Sequence, residues 1–475
     1  MTSSQPVPPA SDALAPGDLL DLDITGQAAG GETIARPGGR AVFVRGAIPG
    51  ERVRARVTEV KKRLARADVE EVLEASTYRV PDRRLALGAA GIGGMEFAHV
   101  DLAHSRVLKA QAATDQFTRL GGLAHAPEVL PAVHEAAGEA AGEAAGRGAT
   151  VGLDWRTRVQ LAVARDGRVG MRAARSHEVL PVDHIPFAVP TIEALGLHHL
   201  SLPGVERLEI AAATGADGTH GSGAVLLHGT PTAEARAAVT DVLTSASRGG
   251  AGAWDLLVRT GGAAARNRGG RGARKQRLEA VRGNGYLTEH VAGLDRTFRV
   301  RADGFWQVHR DAAGELAARV VAETTGARKV LDLYCGVGLF SLAVGDAHGI
   351  PVVGIEGSSE AIDSARRNAA AQRSAAGGVP AVDAEFEVAR IEQLDVLPAA
   401  DTIVLDPPRA GAGEAVCALM GASAAERIVY VSCDGGTFAR DAALLRGHGF
   451  DLVSTEGHDY FPLTAHTEFV SVFAR

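Results

Sequence analysis

The sequence predicts an α/β protein whose C-terminal part is a doubly wound parallel sheet, preceded by a small β-barrel and a central α+β domain. Short apolar runs alternate with Ala-rich helical stretches after about residue 320, which is the pattern of consecutive βαβ units. Short β-rich runs separated by Gly/Pro turns fill residues 19–76, as in a small barrel. A chain of 475 residues is also long enough for two or three domains.

Composition narrows the class of protein without identifying a partner. The net charge is −7, with 46% hydrophobic and 23% charged residues, which is ordinary for a globular protein. Residues 1–16 lack the basic and apolar regions of a secretory signal, and their Pro, Ser and Ala content predicts a disordered tail. The sequence has no membrane-length apolar run and only three cysteines, so we expect a reduced, cytoplasmic setting with no membrane partner and no evident protein partner.

Residues 17–76 are predicted to form the barrel. The segment Arg52–Val57 alternates between arginine and small apolar residues, so its three arginines should share one strand face. From residue 52 to residue 66 there are seven basic residues and one acidic residue. This concentration favours a surface that contacts phosphates. The alternative is a solvated edge strand protected by basic side chains.

Residues 77–300 are predicted to form the central α+β domain, interrupted by a low-complexity insertion at 134–150. A second basic cluster occupies 266–282, again with seven basic residues and one acidic residue. It is either an RNA-contacting loop that becomes ordered on binding or a plain polar loop. The predicted strands are Val159–Ala164, Leu208–Ala212, Ala224–Leu227 and Leu256–Arg259.

Residues 301–475 are predicted to form the doubly wound domain, with the last run of the chain added as an edge strand. Each predicted strand is short and apolar, and a helical stretch or a turn separates it from the next. The predicted strands are Lys329–Leu333, Val352–Ile355, Glu385–Val388, Thr402–Leu405, Arg427–Val431, Phe450–Thr455 and Glu468–Phe473.

The first chemical motif is an apolar strand that enters a Gly336-x-Gly338 turn and then a helix. Glycines there let a ligand approach the backbone closely. Glu356, at the end of the next strand, can accept hydrogen bonds from both hydroxyls of a ribose. These features also occur in NAD-binding domains, but Ser341 replaces the third glycine of the dinucleotide motif, and Asp332 precedes the loop as in methyltransferases.

Two further motifs stand at the ends of the fourth and fifth strands of this domain. Asp406-Pro407-Pro408-Arg409 is a rigid acidic turn, and Cys433 ends the run Tyr430–Cys433. Ligands of open α/β sheets bind at the carboxyl ends of the strands, which favours a functional role for both motifs over a plain turn. Cys433 is a candidate nucleophile. Cys417 and Cys335 are expected to be a buried hydrophobe and a structural residue, respectively.

The motifs DLYCGVG, LDPPRAG, YVSCD and HTEFVSV resemble, in order and spacing, those of the RNA (uracil-5-)methyltransferase family. Phe305-Trp306-Gln307-Val308 is similar to the family's Phe-Phe-Gln-Val segment. The run from Ile24 to Val57 resembles a TRAM domain, and RAARSHEVLPVDHIP resembles the family's central domain. The resemblance covers most of the chain outside the tail and the insertion.

This resemblance implies a Rossmann-like domain that binds S-adenosyl-L-methionine (SAM) and methylates uridine C5 in ribosomal or transfer RNA. It places Cys433 as the nucleophile and Glu468 as the proton acceptor. A nucleophilic thiolate needs a positive neighbour, and Arg409 is the candidate. The residues expected to bind the cofactor are Gln307, Tyr334, Gly336, Gly338, Leu339, Glu356 and Asp406.

The sequence departs from the family pattern at three places. Many relatives hold an iron–sulfur cluster through four cysteines, but the matching segment 80–95 has no cysteine and the fourth position is Ile185. We therefore expect no cluster and no metal. The family's Asn-Pro after the nucleophile is Asp434-Gly435 here, and a carboxylate beside Cys433 should disfavour the thiolate. Arg390 replaces a family acid near the adenine pocket.

The leading interpretation is thus a SAM-dependent RNA methyltransferase that forms 5-methyluridine through a covalent Cys433 adduct. One alternative is methylation of another RNA position, with Cys433 repurposed. A second is an RNA-binding protein with a decayed active site, which the retained pair of Cys433 and Glu468 disfavours. A third is an NAD-dependent oxidoreductase, which leaves Cys433 and Asp406 unexplained.

Overall fold

A computed structural model of the chain describes residues 14–133, 135, 152–248, 252–261, 277–371 and 382–475. The predictions for the N-terminal tail up to residue 13, for nearly all of the insertion 134–150 and for the basic stretch 266–276 lie outside the described residues. Within them, three sheets of six, seven and eight strands and one two-stranded hairpin make up the β structure.

The six-stranded N-terminal sheet is the predicted small barrel. Its strands follow the order β1-β5-β6-β4-β3-β2. Alternate side chains of β4 and β5 point inward, and Val42, Val44, Val53 and Ala55 are fully buried. This alternation is the period of two that a half-buried strand requires. The strands are β1 (Leu19–Asp23), β2 (Gly26–Gln27), β3 (Thr33–Ala35), β4 (Ala41–Arg45), β5 (Arg52–Val60) and β6 (Leu64–Glu74).

The arginines of β5 share an outward face as predicted, but the face is not a bare basic surface. Arg54 pairs with Asp21 of β1 and with Glu71 of β6. Arg56 pairs with Glu70. Strand β5 lies between β1 and β6, so the alternative of an edge strand is wrong. Acidic residues on the two strands that flank β5 therefore neutralise the positive charge of these arginines. The count of basic residues between 52 and 66 did not include most of these acids.

The central seven-stranded sheet follows the order β10-β9-β8-β11-β12-β13-β14. A long helix covers one face, where Val225, Leu227 and Val239 are fully buried. The described end of the second basic cluster forms part of β14, and Arg282 there donates to Thr244. The elements are β8 (Arg158–Val163), β9 (Val169–Arg172), β10 (Val179–Leu180), β11 (Val205–Ala213), β12 (Ser222–Gly229), β13 (Trp254–Thr260), β14 (Arg277–Arg282), and helices Pro190–Ala194 and Ala233–Arg248.

The C-terminal sheet has eight strands in the order β19-β18-β17-β20-β21-β23-β22-β7. The first five are mutually parallel, as the βαβ pattern predicted. The strands are β7 (Val129–Pro131), β17 (Val330–Leu333), β18 (Val352–Glu356), β19 (Ala384–Val388), β20 (Thr402–Leu405), β21 (Arg427–Ser432), β22 (Asp451–Asp459) and β23 (Glu468–Ala474). The helices are Ala312–Glu323, Leu339–His348, Ser359–Ala370, Gly413–Ala422 and Gly435–Gly447.

The prediction that the last run is an edge strand is wrong. Strand β23 lies inside the sheet, antiparallel to β21 on one side and to β22 on the other. Its residues Glu468–Phe473 are all buried, which explains their continuous apolar character. Glu468 is the first residue of β23 and pairs with His458 of β22. The next residue, Phe469, pairs with Ser432 at the end of β21, directly before Cys433.

Segments from the predicted central region complete this sheet. Strand β7 pairs with β22 at its edge, and helix Leu102–Gln116 packs beside the helix that follows Cys433. The hairpin of β15 (Tyr286–His290) and β16 (Thr297–Arg301) packs on helix Ser359–Ala370, where Asn368 accepts from the Arg299 amide.

A further short α-helix spans Arg83–Ala86, and short 3-10 or π-helical segments span Ala29–Gly31, Pro37–Gly39, Phe117–Gly121, Leu197–His199 and Ile391–Gln393. None of the helices in the described ranges is both long enough and apolar enough to cross a bilayer.

Candidate active site

The carboxyl ends of the parallel strands open into a cleft of about 720 Å³. Parallel strands deliver their C-terminal loops to one edge, so motifs far apart in sequence meet there. The cleft brings together eight of the nine predicted site residues and Arg409. The predicted residues in its lining are Gln307, Tyr334, Gly336, Leu339, Glu356, Asp406, Cys433 and Glu468.

The loop after β17 bends through three residues with positive φ angles. Tyr334 (φ +62°), Gly336 (+55°) and Gly338 (+88°) alternate along it. A Cβ on Gly336 would meet no atom within 4 Å, whereas a Cβ on Gly338 would lie 3.1 Å from the Phe386 ring. Gly336 therefore leaves open space for a ligand. Gly338 begins the helix and packs against Phe386, and it is the one predicted cofactor residue that does not line the cleft.

Asp332, at the base of this loop, is buried and lies under the start of the helix. Its Oδ2 accepts from the Ser341 amide (3.0 Å) and hydroxyl (2.5 Å). Its Oδ1 is buried with no hydrogen-bond partner among the described residues. Burial raises the pKa of this carboxyl to about 7, against the opposing hydrogen bonds from Ser341. Asp332 does not line the cleft; its hydrogen bonds to Ser341 tie the end of β17 to the helix that follows the glycine turn.

Glu356 closes the next strand, β18, on the opposite wall of the cleft. Its Oε1 accepts from the Ser358 amide at 2.8 Å, which fixes the carboxylate at the strand end. An acid at this position of a doubly wound sheet commonly binds ribose hydroxyls.

Replacing Glu356 with glutamine is expected to weaken SAM binding about 10- to 100-fold, since a hydrogen bond to a charged group contributes roughly 1.5–3 kcal/mol. Titration calorimetry with SAM measures the effect. The exposed carboxylate of Glu385, on β19, provides a matched Glu→Gln control that should bind SAM normally. Equal affinities for E356Q and wild type would remove Glu356 from the ribose contact.

Asp406 and Gln307 face each other across the floor of the cleft. Gln307 Nε2 donates to Asp406 Oδ2 at 3.5 Å, a long contact. Burial and the nearby Asp332 raise the pKa of Asp406. The segment that follows is held by the helix after Cys433, because Thr437 Oγ1 donates to the Arg409 carbonyl (3.1 Å).

Cys433 follows β21 and is half-buried in the cleft. Burial and the neighbouring Glu468 and Asp406 carboxylates raise the pKa of its thiol to about 12, while Arg409 opposes them. Arg409 is therefore the positive neighbour that the sequence predicted, but its charge does not overcome the desolvation. The thiolate needs a further positive charge in the cleft, and the sulfonium of SAM would supply one.

In the free protein, alkylation of Cys433 by iodoacetamide is expected to accelerate about tenfold per pH unit between pH 7 and 10, because only the thiolate reacts. Peptide mass spectrometry separates Cys433 from Cys335 and Cys417, which are buried. Arg409→Gln removes the cation that lowers the thiol pKa and should slow labelling throughout this range. A plateau below pH 9 would contradict the raised pKa.

Glu468 is buried, with 5% of its surface exposed. Burial, together with the Asp406 carboxyl, raises its pKa well above the ordinary value of a glutamate, and Arg409 again opposes the shift. A carboxylate with a raised pKa is a stronger base than one in water. Glu468 therefore lies near Cys433, and its carboxylate is a stronger base than that of an exposed glutamate.

Asp434, the departure beside the cysteine, caps a helix. Its side chain accepts from the Thr437 amide at 2.8 Å, at the start of helix Gly435–Gly447. Asparagine, which the family has here, can make the same cap. The carboxylate also raises the pKa of Cys433, as the sequence predicted, but with less effect than burial, Glu468 or Asp406.

Replacing Asp434 with alanine is expected to reduce the free energy of unfolding by about 1 kcal/mol, whereas Asp434→Asn should be near neutral, because only the alanine removes the cap. Urea denaturation measures both. A loss of similar size in both variants would assign the stability to the charge of Asp434 and not to the cap.

Several residues of the cleft escaped the sequence reasoning because no local motif marks them. Arg156 comes from the segment before β8 and Arg301 from the end of β16. Phe461 comes from the 459–467 loop, which a buried ion pair of Lys109 with Asp459 (2.5 Å) holds in place. These residues enter the cleft through tertiary packing alone.

The other departures lie away from the cleft. Arg390 is exposed, precedes a short 3-10 helix and is absent from the cleft lining. The segment matched to the cluster ligands is apolar, with Ala89, Ile92 and Met95 buried together. Ile185 is buried in the core of the central sheet. Across the described ranges, no group of three or more His, Cys, Asp or Glu side chains is arranged to hold a metal ion.

The glycine turn, the acids at the strand ends and the interior antiparallel strand define a nucleoside-cofactor-binding α/β transferase. A family model for tRNA (uracil-5-)-methyltransferases matches residues 270–475, and a TRAM domain model matches residues 15–69. An uncharacterized RNA methyltransferase of Streptomyces avermitilis is 36% identical over 96% of this chain and 98% of its own length. The 23S rRNA (uracil(1939)-C(5))-methyltransferase RlmD of Alkalilimnicola ehrlichii is 31% identical over 97% of each chain.

A solved structure supports the same fold. The Pyrococcus abyssi tRNA (uracil-54, C5)-methyltransferase in complex with S-adenosyl-L-homocysteine superposes with a TM-score of 0.67 at 21% identity, covering 96% of this chain and 99% of that one. The chain therefore belongs to the RNA (uracil-5-)methyltransferase family. It is a SAM-dependent RNA methyltransferase with an N-terminal TRAM domain, which confirms the predicted fold class, enzyme class and cofactor.

Proposed function

We propose that this enzyme forms 5-methyluridine in ribosomal or transfer RNA, in the cytoplasm, through a covalent adduct between Cys433 and C6 of the uracil. The observation that carries the proposal is the placement of Cys433 and Glu468 in one cleft with Asp406 and Arg409. The neighbouring charges perturb the thiol and Glu468 together, as expected of an interacting nucleophile and base.

The first step is addition to the ring. The Cys433 thiolate attacks C6, the S–C6 bond forms, and the electrons of the C5=C6 double bond move to the C4 carbonyl, giving an enolate. The enolate makes C5 nucleophilic, which uracil C5 is not by itself. SAM, when bound, would supply the electrophilic methyl group; the electron pair of the broken S–CH3 bond would stay on the sulfur, which would leave as S-adenosyl-L-homocysteine.

The second half restores the aromatic ring. After C5 has gained the methyl group, Glu468 removes the C5 proton. The electron pair of that C–H bond re-forms the C5=C6 double bond and expels the Cys433 thiolate. Nucleophile and base are both regenerated once Glu468 has lost the proton to water.

The residues of the cleft fit SAM. Glu356 is placed for the ribose, and Gly336 leaves the loop open. Asp406, whose charged form is disfavoured in the free protein, gains from a cationic ligand beside it. These residues would hold the cofactor between β17, β18 and β20.

A uridine stacked in a helix cannot reach a thiol at the bottom of a cleft, so the target must be flipped out or presented from a loop. The TRAM barrel and the central domain are proposed to hold the surrounding RNA. The RlmD relative, which is named for uracil 1939 of 23S rRNA, matches along nearly the whole chain, and this supports ribosomal RNA as the first substrate to test.

The test uses the full-length protein with tritium-labelled SAM and two unmodified transcripts, 23S rRNA and a mixture of tRNAs, followed by nucleoside analysis. The expected product is 5-methyluridine in one of them. Transcripts made with 5-fluorouridine should trap a stable protein–RNA adduct, because fluorine at C5 cannot leave as a proton. A methylated nucleoside other than 5-methyluridine would overturn the proposal, as would turnover without any adduct.

A further inference from the structure

A second concavity lies beside the cleft, on the face of the central sheet that the long helix Ala233–Arg248 does not cover. Its volume is about 410 Å³, and we term it the sheet pocket. Its lining residues come from three strands, β8, β11 and β12, and from the 302–308 segment. They are Arg156, Arg158, Val159, Gln160, Glu209, Ile210, Ala211, Ala224, Leu226, Ala302, Asp303, Gly304, Phe305, Trp306 and Val308.

The strand register explains the shape of the sheet pocket. One row across the sheet reads Arg158, Ala211, Ala224, and the next reads Gln160, Glu209, Leu226. Because alternate residues of a strand share a face, all six side chains point to the same side. Ala211 and Ala224 form the base of the sheet pocket, where both are largely buried in one apolar cluster with Leu226, and the polar side chains of β8 and β11 stand beside it. An apolar floor with hydrogen-bonding groups at one edge suits a flat heteroaromatic ring.

The opposite wall is the 302–308 segment, which several arginines hold rigidly. Arg158 Nη1 donates to the Gly304 carbonyl at 2.8 Å. Asp303 is fixed by Arg301 (2.8 Å) and by Arg259. The ring of Phe305 projects from this wall and is 73% exposed. The wall is therefore preformed, and the cost of ordering it on binding is small.

The sheet pocket and the cleft adjoin, because Arg156 and Phe305 belong to the lining of both. Arg156 Nε donates to a backbone carbonyl, and no carboxylate of the described chain forms an ion pair with its guanidinium. Arg409 is the charged neighbour that acts on Arg156. Arg156, for which no carboxylate of the described residues is an ion-pair partner, marks the junction as a place for an anion.

We propose that the sheet pocket binds the nucleobase next to the target uridine, with the phosphate that joins the two nucleotides at Arg156. The inference rests on the proposed function and extends it to substrate recognition. The cleft holds the cofactor and one uracil, so the chain of the RNA must leave it, and the junction at Arg156 leads to the sheet pocket. At the rim, Glu209 pairs with Arg207 and His228, and Arg207 also contacts the Gln160 amide. The remaining donor and acceptor atoms of Gln160 and Glu209 would meet the edge of the base, as in single-stranded RNA recognition.

The experiment first maps the methylated uridine in the transcript that the wild-type enzyme modifies. The transcript is then rebuilt by ligation with an abasic nucleotide directly 5′ or 3′ of that uridine. Ala211→Met fills the base of the sheet pocket, and Glu209→Gln alters its rim together with the ion pairs of Glu209 to Arg207 and His228. Ala237→Met, on the exposed face of helix Ala233–Arg248, is the matched control. Methylation kinetics and SAM affinity are measured for each enzyme and RNA.

Ala211→Met is expected to lower kcat/KM on the intact transcript about 10-fold or more, a typical effect of losing one stacked base. SAM affinity and the control variant should be unchanged. One of the two abasic transcripts should show a similar loss with the wild-type enzyme and little further loss with A211M, because both changes remove the same contact. Glu209→Gln should give a smaller loss with the same non-additivity.

The inference is overturned if the loss caused by A211M and the loss caused by the abasic nucleotide multiply for both abasic transcripts. That result would show that neither neighbouring base occupies the sheet pocket, while the wild-type enzyme still methylates the intact transcript. If A211M unfolds, Glu209→Gln decides by the same comparison. Absence of 5-methyluridine with the wild-type enzyme would instead overturn the proposed function, and the inference with it.

Discussion

Replacing Cys433 with alanine is expected to abolish methylation of RNA, with a loss of at least about 10⁴-fold in kcat, as for a nucleophile that acts together with its partner groups. Without the thiol, C6 of the uracil cannot be attacked and C5 remains unreactive. The assay is methyl transfer from labelled SAM to the transcript, together with adduct formation on 5-fluorouridine RNA. Both signals should vanish in the variant.

The control for this loss is cofactor binding. Cys433 is half-buried at the end of β21, so alanine leaves a small gap, and SAM should bind with unchanged affinity. Cys417→Ala removes a fully buried thiol outside the cleft and should stay active. Residual methylation by C433A within tenfold of wild type would contradict the covalent mechanism while leaving the family assignment intact.

Replacing Glu468 with glutamine is expected to separate the two halves of the reaction. The methyl group should still reach C5 once, because Cys433 and the cofactor residues remain. The C5 proton would then stay in place, so ordinary uridine RNA should remain attached to Cys433 as a methylated adduct. Loss of a general base slows turnover roughly 10²- to 10⁴-fold. Denaturing electrophoresis detects the adduct.

The E468Q change also removes a negative charge that raises the pKa of Cys433. Adduct formation in this variant should therefore be as fast as in wild type or faster, which distinguishes it from general damage to the site. Asp406→Asn provides the comparison, since it relieves the same thiol but should weaken SAM binding. If E468Q forms no adduct and binds SAM normally, Glu468 acts before methyl transfer and not after it.

The local patterns of the sequence determined much of the fold. The predicted strands of the central region and of the doubly wound domain appear within a few residues of their predicted bounds, because short apolar runs and βαβ spacing are local properties. The cofactor motif was also predictable from the sequence, because Gly336 lies in the loop that directly follows β17 and Glu356 is the last residue of β18. Cys433 and Asp406 were found because both directly follow parallel strands.

Tertiary structure alone decided the rest. The arginine face of β5 is neutralised by Asp21 and Glu71, whose strands pair with it at a distance that no local charge count includes. Strand β23 lies inside the sheet, between β21 and β22. Like the other interior strands, it is buried on both faces. Residues such as Arg156 enter the cleft from another domain, and packing of distant segments leaves no periodic signal in the sequence.

The site itself divides in the same way. The chemical groups of the site can be named from the sequence: a thiol, three acids, a glycine turn and an arginine. Their acidities follow from the fold, because burial and neighbouring groups from distant segments raise the pKa values of Cys433 and Glu468. The identity of each residue is a property of its own position in the chain. The desolvation of its side chain and the charges near it depend on which distant segments pack against it.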